Sequence, residues 1–161
     1  MFELDEDYIR FLNNPKYYIE CPLILREMYY EPNLGYKYPI AECGDILLRF
    51  NHYKSFDEAN ECWERRKRRI KWDNIFVMFF CEKKDMVEEF LKLPYEKKIC
   101  FVPYETQTTT LMGINCHKSE FDLSTIINHA SDGTYMFYNV FDLLLMGKVN
   151  RVSELNWEYE E

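Results

Sequence analysis

Glycine and proline are scarce in this chain, with 5 and 6 copies among 161 residues. Long flexible linkers are rich in such residues, so we expect one compact domain over residues 2–150. Disorder is excluded as well, because aromatic residues make up 17% of the chain and disordered segments contain few of them. The last eight residues hold four glutamates and no base, which predicts an acidic tail over residues 151–161.

Long apolar runs and closely spaced cysteines are also missing. No uninterrupted run approaches the roughly 20 residues of a membrane helix, and acids stand at the N-terminus where a signal peptide would carry bases. The six cysteines are scattered, and Cys116, His117 and His129 lack the regular spacing of metal ligands. We therefore expect a reduced, cytoplasmic protein with no membrane span, no metal and no cofactor.

Positive charge is concentrated in one segment. The chain carries a net charge of −8, but residues 54–71 contain seven cations against four acids. Nucleic-acid binders normally show a broad basic face, so we expect no nucleic-acid partner. A local site for an anionic small molecule, such as a sugar phosphate or a nucleotide sugar, is compatible with this pattern.

The middle of the chain begins with a predicted strand and a predicted capped helix. Residues 46–50 are typical of a strand, and the turn signal Gly44-Asp45 precedes them. Ser55 and Glu58 have the spacing of a capping box, which predicts a helix that begins at Ser55.

Further strands and a helix follow at the spacing of parallel sheets. Residues 75–80 form an apolar run typical of a strand buried on both faces. Residues 85–93 predict a helix and residues 99–102 another strand. This order predicts a single α/β domain, in which βαβ units build a mainly parallel sheet flanked by helices in three layers.

The outer segments give weaker patterns. Asp5 can cap a short N-terminal helix, and residues 17–28 look like two short helical pieces. Residues 29–39 predict a loop rich in tyrosine, proline and glycine. Residues 106–116 suggest an edge strand, and residues 135–146 predict an apolar helix.

Several segments are distinctive enough to suggest kinship. In chain order they are YPIAECGDI, HYKSFDEA, WERRKRRI, WDNIF and LPY, and FDLLLMGKVN lies near the end. Together they resemble a bacterial family of exopolysaccharide biosynthesis proteins, which is itself a domain of unknown function; the similarity is good over residues 2–104 and loose in the last third. The resemblance implies an uncharacterised protein associated with exopolysaccharide or cell-surface polysaccharide biosynthesis.

Two departures from that family pattern bear on activity. By that resemblance, the chain is expected to lack the family's usual N-terminal strand–turn–helix segment, and to carry CEKKD at residues 81–85 in place of the family's acidic, glycine-containing loop. One interpretation is a transferase or hydrolase that acts on a sugar or acyl conjugate. The alternatives are a truncated, inactive member, or a non-catalytic interaction module that forms a homodimer or binds a partner through an exposed sheet edge.

The five consecutive cations at residues 65–69 can be explained by the stability of the helix alone. Glu61 with Arg65 and Glu64 with Arg68 are favourable i,i+4 pairs, worth about 0.2–0.5 kcal/mol each. Cations in the last turn of a helix also suit its macrodipole.

Arg66 and Lys67 differ from the other cations because they flank the apolar stripe of the helix and are predicted to point partly inward. Their stems can cover apolar surface, or Arg66 can reach a carboxylate such as Asp45 or Asp73. The other interpretation is that Arg66 holds an anionic ligand.

A candidate catalytic group follows from the predicted strands. Ligands of open α/β sheets bind beyond the carboxyl ends of the strands, where His52, Cys81 and Glu82 are expected. His52 would be the base, with Glu82 beside it, and Cys81 a nucleophile. The predicted substrate-binding residues are Lys54, Arg66 and Tyr104. The structural alternative for His52 is a hydrogen-bonded histidine in a tight strand–helix turn.

Overall fold

The computed structural model describes residue 2, residues 4–104, residues 106, 108 and 110–113, and residue 145. The chain divides into two compact units, Met1–Asn74 and Ile75–Glu161. The prediction of one domain over residues 2–150 stays a prediction. The predicted acidic tail lies outside the described residues, as does the helix predicted at 135–146 apart from residue 145.

The described elements alternate between helices and strands. In chain order they are α1 (Asp5–Asn13), α2 (Pro15–Glu20), β1 (Leu23–Glu31), β2 (Tyr36–Cys43), β3 (Ile46–Arg49), α3 (Phe56–Lys67), β4 (Phe76–Phe80), α4 (Lys84–Lys92), β5 (Lys97–Val102) and β6 (Leu111–Gly113).

The first unit is built on an antiparallel sheet, here named sheet A, with the strand order β1-β2-β3. Gly44 and Asp45 form the predicted turn between β2 and β3, and Gly44 has a φ of 63°, which glycine adopts without steric cost. The buried side chains of this unit include Ala41, Cys43 and Ile46, against which α3 packs Ala59.

The prediction for residues 17–39 was wrong beyond α2 and the turn at residues 32–35. Only α2 is helical there, and residues 29–39, predicted as a loop, belong largely to β1 and β2. The two strands pair from Leu23 with Cys43 to Glu31 with Tyr36, and a bulge interrupts β1 at Arg26. Cross-strand pairing supplies the backbone hydrogen bonds that a helical piece would otherwise have made internally.

The helix α1 begins one residue earlier than its predicted cap implies. Leu4 is the N-cap, so Asp5 lies inside the first turn and does not cap the helix. The buried carboxylate of Asp7 accepts a hydrogen bond from the backbone N–H of Leu47 at 3.2 Å. This bond joins α1 to the edge strand β3.

The second unit contains the predicted parallel sheet, here named sheet B, with the order β4-β5-β6. Helix α4 connects β4 to β5, as the sequence predicted for residues 75–102, and Phe90 of α4 packs on Phe79 of β4 with ring centroids 5.3 Å apart. The buried Lys98 donates to the carbonyl oxygens of Leu91 and Leu93 at the end of α4.

The α/β character of the fold is therefore clear, but the mainly parallel, three-layer sheet is not confirmed. Residues 46–50 were expected in a parallel sheet, and β3 instead pairs antiparallel with β2 in sheet A. The parallel strands described are those of sheet B.

Candidate functional site

Helix α3 positions most of the cations. Its N-cap is Ser55, whose Oγ accepts from the backbone N–H of Glu58 at 3.2 Å, as the capping box predicted. The Glu58 carboxylate in turn accepts from the backbone N–H of Lys54 at 3.4 Å. These bonds fix the start of α3, and its buried face then presents Ala59 and Cys62 to the interior.

The expected ion pairs along α3 are replaced by another arrangement. Glu64 pairs with the half-buried Lys67 at 2.5 Å and not with Arg68. Arg65 donates to Cys62 Sγ at 3.3 Å, and no pair with Glu61 is found in the described part of the chain. The acids of the helix therefore leave its arginines without carboxylate partners within residues 4–104.

Arg66 points into solvent, so the prediction that it leans toward the core was wrong. Neither Asp45 nor Asp73 pairs with it among the described residues. Asp45 instead accepts a hydrogen bond from Tyr18 Oη at 2.8 Å and lies 3.8 Å from Arg10 Nη1. Arg66 remains available to a ligand from solution.

His52 lies in the turn between β3 and α3 and is exposed. Because β3 is antiparallel to β2, the argument that placed His52 at the carboxyl end of a parallel strand does not hold. The adjacent Asn51 carbonyl oxygen accepts from Tyr36 Oη at 2.8 Å, which anchors this turn on β2. Lys54 is exposed in the same connection.

Cys81, Glu82 and Tyr104 do follow parallel strands, as predicted. Cys81 comes directly after β4, and its backbone N–H donates to the carbonyl oxygen of Phe101 in β5 at 3.1 Å. Glu82 is exposed, whereas Cys81 is buried. Tyr104 follows β5, the strand that pairs with β4. These three residues therefore share the carboxyl edge of sheet B.

The chemistry at that edge is modest. The Cys81 thiol donates to the carbonyl oxygen of Lys83 at 3.6 Å. The Lys84 ammonium lies 5.6 Å from the ring centroid of Tyr104, within the range of a cation–π contact. Burial is the main cause that raises the pKa of the Tyr104 hydroxyl, so Tyr104 is a hydrogen-bond donor at neutral pH. The pairing of His52 with Cys81 or Glu82 stays a prediction.

Sequence reasoning missed Cys62, a thiol whose hydrogen-bond donors lower its pKa. Its Sγ accepts hydrogen bonds from Tyr53 Oη at 2.9 Å and from Arg65 Nη2 at 3.3 Å. The Tyr53 hydrogen bond is the main cause that lowers the pKa of Cys62, and the charges of Arg65 and Arg66 lower it further. The available signal was a cysteine with arginines three and four positions later on one helix face.

Metal binding and membrane insertion find no structural counterpart in the described residues. No group of histidine, cysteine and carboxylate side chains within them could hold a metal ion. Cys116, His117 and His129, considered above as ligands, lie outside the described residues. Among the helices described, none has the length and apolar character needed to cross a membrane.

Comparison with known proteins identifies kinship and no activity. The chain is 33% identical over 105 residues to an uncharacterized protein from Haemophilus influenzae. The matched segment is 62% of this chain and 48% of that protein, so the chain spans about half the length of the curated relative it matches. Residues 1–146 match a domain of unknown function, DUF1919. Since this match covers most of the sequence, the chain belongs to the DUF1919 family.

Proposed function

We propose that this protein binds an anionic small molecule, of the sugar phosphate or nucleotide sugar class, in the biosynthesis of cell-surface polysaccharide. The observation that carries the proposal is a set of exposed arginines on and just after the last turn of α3, here named the arginine cluster. Its members are Arg65, Arg66, Arg68 and Arg69.

The arginine cluster is unusual because the protein is otherwise acidic. The chain has a net charge of −8, yet the cluster contacts no carboxylate within the described residues. Neighbouring like charges repel one another, and an anion between them relieves that repulsion. The guanidinium fork also matches phosphate oxygens with two parallel hydrogen bonds. A phosphorylated ligand therefore fits the cluster better than a neutral sugar.

The proposed setting, location and reaction class rest on observations other than the arginine cluster. The polysaccharide setting rests on the family resemblance of the segments that include α3. A cytoplasmic location fits the five described cysteines, which form no disulfide with one another. If the protein is an enzyme, transfer or hydrolysis of a sugar or acyl conjugate is the reaction class, with His52 as an exposed base in the turn before α3.

The binding proposal can be tested by thermal unfolding with three probes, uridine diphosphate glucose, glucose 1-phosphate and glucose. We expect the two anionic probes to raise the midpoint temperature of unfolding and glucose to leave that temperature unchanged. A ligand at a hundredfold its Kd adds about 2.7 kcal/mol of stability, which is readily detected. The double variant Arg66→Gln with Arg69→Gln should abolish the shift.

The matched control is Lys92→Gln, which removes one exposed cation from the last turn of α4, where Lys92 pairs with Glu89. This variant should respond to the anionic probes like the wild type. Equal shifts in the arginine variant and the wild type would contradict binding at the arginine cluster. The absence of any shift with either anionic probe would contradict the ligand class.

A second candidate function, self-association, is favoured by β1. This strand lies at the edge of sheet A, and Ile24 and Tyr30 on it are 58% and 53% exposed. An apolar, exposed edge can pair with a second copy of the chain. The bulge at Arg26 opposes such pairing because it bends the strand, which is why this function ranks second.

Light scattering coupled to size-exclusion chromatography tests self-association directly. A dimer that Ile24→Lys converts to a monomer would support pairing through β1, and Met78→Lys serves as a control at an exposed apolar residue of sheet B. A wild-type monomer at every concentration would rule the dimer out.

A further inference from the structure

We infer that the anion bound by the arginine cluster carries an aromatic base, and that Trp72 stacks on this base. The ligand is then a nucleoside phosphate or its sugar conjugate, and not a sugar phosphate that lacks a base. This inference rests on the function proposed above and narrows its ligand class. The observations that carry it concern Trp72 and Lys16, which are not members of the arginine cluster.

Trp72 presents an open aromatic ring on the first unit, with 42% of its surface exposed. It lies in a tight turn, in which the backbone N–H of Asn74 donates to the carbonyl oxygen of Lys71 at 2.9 Å. Trp72 and Asp73 are the two central residues of this turn, and both are exposed. An exposed indole offers a large, flat apolar face to a ligand.

Lys16 positions the ring from another element of the same unit. Its ammonium lies 5.7 Å from the centroid of the Trp72 ring, within the range of a cation–π contact. Lys16 belongs to α2, which is anchored by the buried Tyr18 through a hydrogen bond of 2.8 Å to Asp45. The ring is therefore placed before a ligand arrives, and less ordering is required on binding.

The ring lies close to the arginine cluster along the chain. The segment after α3 is compact, because the N–H of Arg69 donates to Arg66 O at 2.9 Å and the N–H of Ile70 to Lys67 O at 3.3 Å. Arg69 precedes Trp72 by three residues, so their Cα atoms are at most about 11 Å apart. One mononucleotide, with its base and its phosphate on opposite sides of the ribose, can reach both side chains.

The charges around the ring also suit a nucleotide. Lys16, Lys71 and Arg69 are exposed, and none of them pairs with a carboxylate within the residues that the structure describes. These cations can therefore hold a phosphate beside the ring. Asp73, next to Trp72 in the turn, has carboxylate oxygens that can accept hydrogen bonds from ribose hydroxyls.

An aromatic base fits this arrangement better than a sugar ring alone. Stacking of a base on an aromatic side chain strengthens binding by about fivefold to a hundredfold. A hexose phosphate would use the arginines but would set a non-planar ring against the flat face of Trp72. The net charge of −8 opposes a long nucleic acid far more than it opposes a mononucleotide.

Isothermal titration calorimetry with uridine 5′-monophosphate and ribose 5-phosphate tests the stacking, because these probes share the phosphate and the ribose and differ by the base. We expect the wild type to bind the nucleotide tighter than ribose 5-phosphate by about tenfold or more. Trp72→Leu should abolish that preference and keep the affinity for ribose 5-phosphate, which also shows that the variant is folded. Trp72→Phe, which retains a ring, should keep most of the preference. Tyr30→Leu, at another exposed aromatic residue of the same unit, should keep all of it.

Tryptophan fluorescence gives a second readout, which a merely structural role of Trp72 would not produce. Uridine 5′-monophosphate should quench the emission of the wild type, and ribose 5-phosphate should not. Trp72→Phe should lose the quenching while it still binds the nucleotide, although Trp63 and Trp157 remain in this variant. Unchanged emission of the wild type on nucleotide binding would overturn the stacking.

The ligand class of the arginine cluster and the stacking on Trp72 can fail separately. If glucose 1-phosphate raises the midpoint temperature of unfolding but uridine 5′-monophosphate binds no tighter than ribose 5-phosphate, the cluster keeps its anion and the role of Trp72 is overturned. If neither phosphate compound binds, the function proposed above fails and this inference fails with it. Tighter binding of a single-stranded oligouridylate than of uridine 5′-monophosphate would overturn the mononucleotide class.

Discussion

Gly113 lies so close to the backbone of Tyr104 that a Cβ atom added to it would be 2.2 Å from the Tyr104 carbonyl oxygen. The same Cβ would meet the backbone N and O of Thr106 at 2.6 and 2.9 Å, and Gly113 itself donates its N–H to Thr106 O at 2.8 Å. The end of β6 therefore holds the segment after β5 in place. Tyr104, a predicted ligand contact, depends on this close approach.

Gly113→Ala should consequently destabilise the protein by about 2 kcal/mol or more, because backbone atoms and not a flexible side chain must move. Urea unfolding followed by circular dichroism measures the loss. Gly35→Ala is the matched control: Gly35 has open space around it, but its φ of 70° costs an alanine roughly 1 kcal/mol. A loss at Gly113 no larger than that at Gly35 would contradict the close approach.

The cap of α3 gives a second prediction. Ser55→Ala removes the Oγ that accepts from the Glu58 N–H, and N-cap losses of this kind cost about 1 kcal/mol. Because Cys62 lies in α3, fraying of the first turn of this helix should also loosen the Tyr53–Cys62 contact. Lys54→Ala, next to the cap, uses only its backbone in the hydrogen bond to Glu58 and should change the free energy of unfolding by less than about 0.5 kcal/mol. Equal losses in the two variants would refute the capping role.

A third prediction concerns the buried ammonium of Lys98. Lys98→Met leaves the carbonyl oxygens of Leu91 and Leu93 without that donor at the end of α4, which should cost about 1–3 kcal/mol. Lys37→Met, at an exposed position of β2, is the control and should be nearly neutral.

The pH dependence of the Lys98 effect has a defined sign. Burial lowers the pKa of Lys98 below 10.5, so the unfolded chain binds more protons than the folded one between the two values. The stability contributed by Lys98 therefore rises as the pH is raised toward 10.5. The difference between wild type and Lys98→Met should widen over that range, and a constant difference would show that Lys98 keeps its ordinary pKa.

The sequence predicted sheet B well because its signals are local. Residues 75–80 and 99–102 are apolar runs at the length of buried strands, with an amphipathic helix between them. The parallel pairing of β4 with β5 then follows from the crossover through α4.

The strands β1 and β2 of sheet A were missed because they depend on contacts between distant residues. Residues 23–28 of β1 include leucine, arginine, glutamate and methionine, which favour helices, and pairing with β2 overrides that preference. Pro39 lies buried inside β2, the middle strand, where a proline argues against a strand. The turn between β1 and β2 contains Gly35, which has a positive φ. The sequence analysis assigned this glycine to a loop and did not use it as the signal of a hairpin.

The sequence predicted which charged residues the candidate site contains, but it did not predict which side chains contact one another there. The exposure of most cations on α3 follows from helical geometry, but the replacement of the Glu64–Arg68 pair by Glu64–Lys67 depends on side-chain choices that spacing does not decide. The Tyr53–Cys62 contact forms because the connection after β3 folds back onto α3, and a nine-residue separation gives no periodic signal of it.

Alkaline unfolding supplies the last prediction. Cys100 is fully buried in β5, and burial, with a further contribution from Cys81, raises its pKa to about 12 from the ordinary 9.0. The folded state therefore retains this proton while the unfolded chain loses it, so the stability it contributes is complete below pH 9 and is lost as the pH rises toward 12. Between pH 9 and 10.5 the free energy of unfolding of the wild type should fall more steeply than that of Cys100→Ala, by about 1.4 kcal/mol per pH unit. Val102→Ala, a buried truncation in the same strand without a titratable group, should lower stability at every pH and keep the wild-type slope. Parallel slopes for the wild type and Cys100→Ala in urea unfolding would show that this thiol does not control the alkaline limit.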